Sequence, residues 1–200
     1  MSRDFDLISI DLETSGVDKD RHQILSVGCV RLSNMAEFYV EIRHESITVN
    51  PASIRINKID LSTRDDKTLP TLEEADEQLA SWLSQEGPDK KLIPLGKNIA
   101  AFDMLFLKKY LPKSAKMFGY RSLDLNALIF VDAIVRGLTF EETRKAAETI
   151  GKSYAEHRVP NLSSHNAMYD AWMNVGMLYF VIHDEWGKVG DFKWDGGNLD

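Results

Sequence analysis

A change of hydrophobic period part-way along the chain constrains the fold more than any other feature of the sequence. Residues 5–44 contain three apolar, β-branched segments, FDLISIDL, QILSVGCVRL and MAEFYVEIRH, joined by short polar links. Neighbouring strands with short connections are typical of an antiparallel meander. From residue 71 onward apolar residues recur at helical spacing, interrupted by two extended segments, LIPLGKN and RSLDL. This pattern predicts an α/β fold in which five strands form a mixed sheet with helices on both faces.

Capping and breaking residues predict where the helices begin and end. Thr71, with Glu74 three residues later, has the pattern of a capping box. Pro112 is expected to close the helix before it, and the next two helices are expected to end at their last glycines. Pro94 cannot donate to a ladder, which favours an edge or terminal position for the fourth strand. The helices are predicted over residues 52–60, 71–85, 100–111, 126–137, 139–151 and 163–186.

Length and composition set limits on the class of protein. A chain of 200 residues can build one sizeable core, so we expect a single domain over residues 1–184 and an irregular, glycine-rich tail over 185–200. Cys29 is the sole cysteine, which excludes an intramolecular disulfide and a cysteine zinc site. Without an apolar run of about 18 residues or a signal-peptide pattern, we expect no membrane segment and a reducing, cytoplasmic location.

The charge balance argues against a broadly basic duplex-binding protein, because 24 basic and 31 acidic residues give a net charge of −7. The charges are unevenly distributed, however. Residues 97–121 contain six basic side chains against a single acid, Asp103. This segment either follows a phosphate backbone or forms a solvated helix face, and the sequence leaves both interpretations open. Its basic residues are Lys97, Lys108, Lys109, Lys113, Lys116 and Arg121.

Three groups of polar residues in apolar surroundings are candidates for a functional site. Asp11 and Glu13 end the first strand and share one face of it, so their charges repel unless a cation lies between them. Asp103 lies at the start of an otherwise apolar helix. His165 and Asp170 are five residues apart at the start of the last helix. Taken singly, each acid could also be a solvated strand end or a helix-start acid.

In combination these motifs resemble a known family. DLETSG from residue 11, NIAAFDMLFL from residue 98 and HNAMYDA from residue 165 resemble the three-motif pattern of DEDDh 3′–5′ exonucleases, which include DnaQ-like, RNase T and TREX-type enzymes. The resemblance spans residues 5–180 and implies an RNase H-like fold. Lys97 stands where many family members have histidine.

The resemblance also implies a chemistry and its residues. It implies two divalent ions, Mg²⁺ or Mn²⁺, hydrolysis of terminal phosphodiester bonds and release of nucleoside 5′-monophosphates. Residue by residue, it implies metal ligation by Asp11, Glu13, Asp103 and Asp170, proton abstraction from water by His165, and substrate contacts by Leu12, Thr14 and Asn98.

The motifs specify the substrate and the protein partners less narrowly than the chemistry. Single-stranded 3′ ends of DNA or RNA are the expected substrates, with a polymerase or a second copy of the chain as possible protein partners. A haloacid-dehalogenase-type phosphatase is an alternative, but its motif requires a second aspartate where this chain has Glu13. A non-catalytic nucleic-acid-binding module and a protein-interaction domain are further alternatives, and neither requires four acids and a histidine at this spacing.

Overall fold

The computed structural model describes residues 4–57, 67–86 and 91–182. The predicted tail over 185–200 lies outside these residues, so the domain boundary at residue 184 stays a prediction. Among the helices of the described residues, none is long and apolar enough to cross a membrane.

Five strands form one mixed sheet in the order β3-β2-β1-β4-β5. The first three strands pair antiparallel, while β4 runs parallel to β1 and β5 parallel to β4. This confirms the predicted α/β class and the predicted number of strands. The strands are β1 (Phe5–Thr14), β2 (Ile24–Arg31), β3 (Ala36–Glu41), β4 (Lys91–Gly96) and β5 (Leu123–Asp124).

The helices of the described residues cover both faces of the sheet. The predicted capping box is present, since the Thr71 hydroxyl accepts from the Glu74 N–H and the Glu74 carboxylate accepts from the Thr71 N–H at 2.8 Å. The helices are α1 (Pro51–Asn57), α2 (Leu72–Leu83) with a 3₁₀ turn over Ser84–Glu86, α3 (Asp103–Tyr110), α4 (Pro112–Ala115), α5 (Leu125–Arg136), α6 (Phe140–Arg158) and α7 (Ala167–Ile182).

Two predicted boundaries are wrong, whereas Pro112 does follow the end of its helix, since α3 ends at Tyr110. Pro112 also starts the short helix α4, because proline is well suited to a first helical position, where its missing N–H is not needed. Gly151 lies inside α6, which continues to Arg158. The last helix begins at Ala167 rather than residue 163, and its predicted end at residue 186 lies outside the described residues. Gly137 does end α5, with a left-handed φ of 67°.

Neither alternative predicted from Pro94, an edge or a terminal position, is observed, because β4 lies between β1 and β5 and Pro94 lies inside it. Pro94 is opposite Ile8 of β1 in the parallel register. On its other side, β5 pairs only with Leu95 and Gly96. The short fifth strand therefore leaves a place in the sheet where a residue without an N–H is tolerated.

Side-chain alternation along β1 divides the core into two layers. Ile8, Ile10 and Leu12 point into an apolar cluster shared with α2 and α3. Ser9, Asp11 and Glu13 alternate with them and face the opposite layer, which contains α5, α6 and α7. The Ser9 hydroxyl donates to the carbonyl of Ala171 on α7 at 2.7 Å. This bond fixes the long helix across the acidic face of β1.

Glycines allow α7 to approach both β2 and α6 closely. A Cβ on Gly28 would lie 2.2 Å from the carbonyl oxygen of Ala167, the first residue of α7. A Cβ on Gly176 would lie 2.9 Å from the Cα of Gly151 on α6. Gly28 is opposite Asp11 in the antiparallel pairing, so this approach brings the start of α7 beside the acid.

Candidate active site

Asp11 and Glu13 lie at the carboxyl end of the central strand β1. In the antiparallel pairing Asp11 is opposite Gly28 and Glu13 is opposite Ser26, after which the register shifts. Asp11 is half-buried and Glu13 is buried. Both side chains lie on the face that α7 covers, as the period of two in the sequence predicts.

Asp103 is the first residue of α3 and is buried. Its carboxylate lies close to the backbone of Leu12, which lowers its pKa. This proximity places the start of α3 beside the end of β1. Asp103 therefore lies next to the strand end that carries Asp11, even though some ninety residues separate the two in the sequence.

The turn before α7 positions His165 and Asp170. His165 has a left-handed φ of 69°, and its backbone N–H donates to Asp170 Oδ2 at 2.8 Å. The Asn166 side chain accepts from the Met168 N–H at 3.0 Å, which starts the helix. Asp170 therefore lies in the first turn of α7, since the helix begins at Ala167 and not at the predicted residue 163.

These elements surround an open cleft of about 350 Å³. Five of the predicted site residues line it: Asp11, Leu12, Glu13, His165 and Asp170. One ligand atom each from Glu13, His165 and Asp170 lies within 4.8 Å of the other two. Carboxylate oxygens are ligands of hard divalent cations and imidazole nitrogens are ligands of transition-metal ions, so this set could hold a divalent metal ion.

The other three predicted site residues do not line the cleft, and each is engaged within the protein. Asp103 is buried next to the end of β1. The Thr14 hydroxyl donates to the Gly16 carbonyl at 2.8 Å. The Asn98 side-chain oxygen accepts from the Asn126 amide at 3.0 Å. Their functional assignment stays a prediction.

The electrostatics of the site disfavour ionisation of all its acids together. Burial raises the pKa of Asp11 well above its ordinary value, and the charges of Asp170, Asp103 and Glu13 raise it further. Burial also raises the pKa of Asp103 to about 7 and, to a lesser degree, the pKa of Asp170. Such a cluster is stabilised by positive charge, so the residues present fit the binding of divalent ions.

Sequence reasoning did not identify four further residues that line the cleft: Glu148, Lys152, Ser164 and Met173. The first two are one turn apart on α6 and on the same face. Because the sequence predicted that the helix ends at Gly151, Lys152 was placed outside any helix. A helix that continued through Gly151 would have predicted that Glu148 and Lys152 lie on one face.

The basic segment over 97–121 is divided among several environments. The Lys109 ammonium donates to the Lys19 carbonyl at 2.7 Å, and Lys113 pairs with Glu77 at 2.7 Å. Of the six basic residues of this segment, Lys97 is the one that lines the cleft with the acids.

Comparison with known proteins identifies the family. A sequence profile of the RNase_T family, described as exonuclease, matches residues 8–178. The chain belongs to this exonuclease family. The match confirms the predicted resemblance, and it favours the nuclease over the phosphatase alternative.

Several curated relatives of this exonuclease are oligoribonucleases. That of Escherichia coli strain K12 is 29% identical over 170 residues, which cover 75% of this chain and 90% of the relative. That of Pasteurella multocida strain Pm70 is 28% identical over 167 residues, which cover 75% and 89%.

Solved structures of Exonuclease I share the fold of this exonuclease. E. coli Exonuclease I in complex with a dA16 oligonucleotide superimposes with a TM-score of 0.58 at 14% identity, over 88% of this chain. Exonuclease I from Methylocaldum szegediense superimposes with a TM-score of 0.63 at 14% identity, over 92% of this chain. This chain spans about two fifths of the length of these Exonuclease I chains, 40% and 42%. The likeness confirms the predicted RNase H-like α/β fold.

Proposed function

We propose that the chain removes nucleoside 5′-monophosphates one at a time from single-stranded 3′ ends, with two divalent ions and His165 as the general base. The observation that supports it is the meeting of Glu13, His165 and Asp170 within 4.8 Å beside Asp11 in an open cleft. The cleft is at the small end of ligand pockets, which suits one terminal nucleotide.

The acids hold the ions in this proposal. Asp11, Glu13, Asp103 and Asp170 supply hard oxygen ligands from three separate elements, β1, α3 and α7. When bound, two divalent ions lower the pKa of a water molecule and offset the charge that develops on the departing 3′ oxygen. Burial and mutual repulsion of the acids favour cation binding, because each ligand bond relieves them.

His165 takes the proton from the attacking water. Its exposed imidazole lies beside the carboxylates of Glu13 and Asp170. Histidine is the side chain that most often acts as a general base in enzymes. The bond from its backbone N–H to Asp170 fixes the ring near the acids without using either ring nitrogen.

The terminal nucleotide contacts Leu12 and the walls of the cleft. Leu12 lines the cleft between the two acids of β1. Thr14 and Asn98 are also proposed as substrate contacts, as the family resemblance implies. Their observed bonds, to Gly16 and Asn126, would hold them in place for such contacts.

The proposed substrate is a short single-stranded oligoribonucleotide, because the curated relatives are oligoribonucleases. Single-stranded DNA is a second substrate, supported by the shared fold with Exonuclease I in complex with oligodeoxynucleotides.

End-labelled pentaribonucleotides with Mg²⁺ test the activity. A 3′-labelled strand should release labelled mononucleotide in the first turnover, while a 5′-labelled strand should give a descending ladder. The same DNA sequence is run in parallel, and chelator should abolish both reactions. The reverse pattern of labels, internal cleavage or chelator-resistant cleavage would contradict the proposal.

The polymerase or homodimer partner also stays a proposal, and the structure offers a surface for it. Within the described residues, α5 has four large apolar side chains more than half exposed: Phe130, Val131, Ile134 and Val135. A molar mass from light scattering of twice that of the chain would support the homodimer, and a mass equal to one chain would contradict it. A cytoplasmic location likewise stays a prediction.

A further inference from the structure

Lys97 lies in the cleft, and none of the steps proposed above uses it. It directly follows Gly96, the last residue of β4, and it lines the cleft with Asp11, Glu13 and Asp170. Its side chain is half-buried. No carboxylate among the described residues forms an ion pair with its ammonium, so this charge is available to a ligand.

The backbone on both sides of Lys97 is held. Before it, β4 pairs with β1 and β5. After it, Asn98 has a left-handed φ of 53°, and its carbonyl accepts from the N–H groups of Ala101 and Phe102, both at 2.9 Å. The Asn98 side chain is bonded to Asn126 at the start of α5. The backbone of Lys97 is therefore fixed, which lowers the entropic cost of a contact between its side chain and a ligand.

The charge of Lys97 reaches acids from three different elements. Burial raises the pKa of Asp11, Asp103 and Asp170, and the Lys97 ammonium lowers all three. Lys152 of α6 also lowers the pKa of Asp170. Lys97 thus lies close to all three of these acids.

An ammonium group at this position binds the substrate and the product of the reaction with different strength. A phosphodiester carries one negative charge, whereas a phosphate monoester carries about −1.5 to −2 at pH 7. Lysine binds phosphate as a compact point charge, so its attraction grows with the charge of the ligand. A fixed ammonium in the cleft consequently holds the monoester product more strongly than the diester substrate.

We propose that Lys97 contacts the phosphate of the terminal nucleotide and makes the released nucleoside 5′-monophosphate a competitive ligand of the cleft. The inference rests on the proposed function for the identity of this ligand. It adds a phosphate-binding residue where many members of the family have histidine.

Calorimetric titration of AMP into the full chain with Mg²⁺ tests the contact, and no turnover occurs because AMP is the product. Lys97→Met should raise the Kd for AMP about tenfold, the loss expected for one charge-assisted hydrogen bond. Lys97→Arg keeps the charge and should stay within about threefold of the parent chain. Lys108→Met is the matched control, since Lys108 is exposed on α3 and does not line the cleft.

Two further measurements keep the test decisive. Thermal unfolding shows that each variant is folded, and Lys97→Gln, of similar size and polarity, replaces Lys97→Met if the latter is not. Adenosine, which lacks the phosphate, should bind the parent chain and Lys97→Met alike. If Lys97 only repelled the metal ions, Lys97→Met would lower the Kd for AMP instead of raising it.

The outcomes separate this inference from the proposed activity. A parent chain that hydrolyses RNA while Lys97→Met binds AMP as tightly as the parent overturns the role of Lys97 alone. A parent chain that cleaves nothing contradicts the activity, and a tenfold loss of AMP affinity in Lys97→Met would still support the phosphate contact.

Discussion

The backbone N–H of His165 donates a 2.8 Å hydrogen bond to the carboxylate of Asp170. The bond closes the turn that precedes α7, where His165 has a φ of 69°. This bond thus fixes the position of His165, the proposed base, relative to Asp170, a proposed metal ligand. A substitution at Asp170 therefore has two separable effects, one on charge and one on the position of His165.

Substitutions of Asp170 should separate these effects. Asp170→Asn can still accept the bond from His165 through its amide oxygen but has lost the charge, so metal-dependent turnover should fall by about 10³-fold while thermal stability is kept. Asp170→Ala should lose turnover as fully and should also free the turn, which faster hydrogen exchange of the His165 amide would detect.

Glu141→Gln is the control for the loss of one carboxylate, because Glu141 is exposed on α6 and does not line the cleft. It should leave turnover within about twofold of the parent. Full activity in Asp170→Asn would rule out the metal-ligand role of Asp170.

Substitution of His165 should affect turnover rather than binding. Removal of a general base lowers kcat by about 10² to 10⁴-fold, so His165→Ala should show this loss with little change in KM. Calorimetry with Mn²⁺ checks whether the imidazole binds metal instead, since its nitrogen lies within 4.8 Å of ligand atoms of Glu13 and Asp170.

For this variant, His157→Ala provides the comparison, because His157 is exposed in the last turn of α6. Unchanged kcat in His165→Ala would exclude the base role. A large loss of Mn²⁺ affinity in the same variant would reassign His165 as a ligand.

Stability of the metal-free chain should depend on pH through Asp103. Burial raises its pKa from 3.8 to about 7, so the folded chain keeps a proton that the unfolded chain has already lost. Between about pH 4 and pH 7 the unfolded state binds fewer protons, and the free energy of unfolding falls as pH rises. In chelator, the thermal midpoint should therefore drop by several degrees across this range, by a rough conversion of free energy to temperature.

Asp103→Asn isolates this contribution, because asparagine has nearly the same size and shape but does not ionise. Its thermal midpoint should decline less steeply with pH than that of the parent. Added Mg²⁺ should also flatten the parent profile, since bound cations favour the ionised acids. Identical slopes for parent and variant in chelator would refute the assignment.

The close contact between Gly28 and Ala167 predicts a strict requirement for glycine. A Cβ at Gly28 would lie 2.2 Å from a backbone oxygen, so Gly28→Ala must displace the start of α7. Overpacking of this kind costs about 1–3 kcal/mol, measurable by urea unfolding. Catalytic efficiency should fall as well, because His165 and Asp170 move with α7.

Gly119→Ala is the matched control, because a Cβ there would meet nothing within 4 Å. It should leave both the free energy of unfolding and kcat/KM close to those of the parent. A Gly28→Ala variant of parental stability would show that α7 can shift without cost.

Local patterns in the sequence predicted the parts of the site that depend on one element. A strand period of two predicted that Asp11 and Glu13 share a face, and the structure places both there. An acid at the start of an apolar helix predicted the place of Asp103 in α3. These predictions succeed because backbone geometry alone determines which way neighbouring side chains point.

Predictions that depended on a neighbouring element were wrong. Gly151 was predicted to end a helix, but α6 continues through it because the glycine fits against Gly176 of α7. The position of Lys152 in the cleft follows from that continuation. The strand with Pro94 was predicted at an edge or terminal position, but it lies inside the sheet, where β5 is too short to pair with Pro94. A local propensity is weaker than the packing that a second element supplies.

The sequence by itself determined the fold class, the number of strands and the acids, histidine and spacing that belong to an exonuclease family. Tertiary structure alone decided how these residues meet, because β1, α3 and α7 come together only through contacts between residues far apart in the chain. Those contacts are the proximity of Asp103 to the Leu12 backbone and the close approach of Gly28 to Ala167. They bury the acids beside one another, and this burial, rather than the residue types, raises their pKa values and creates the affinity for cations.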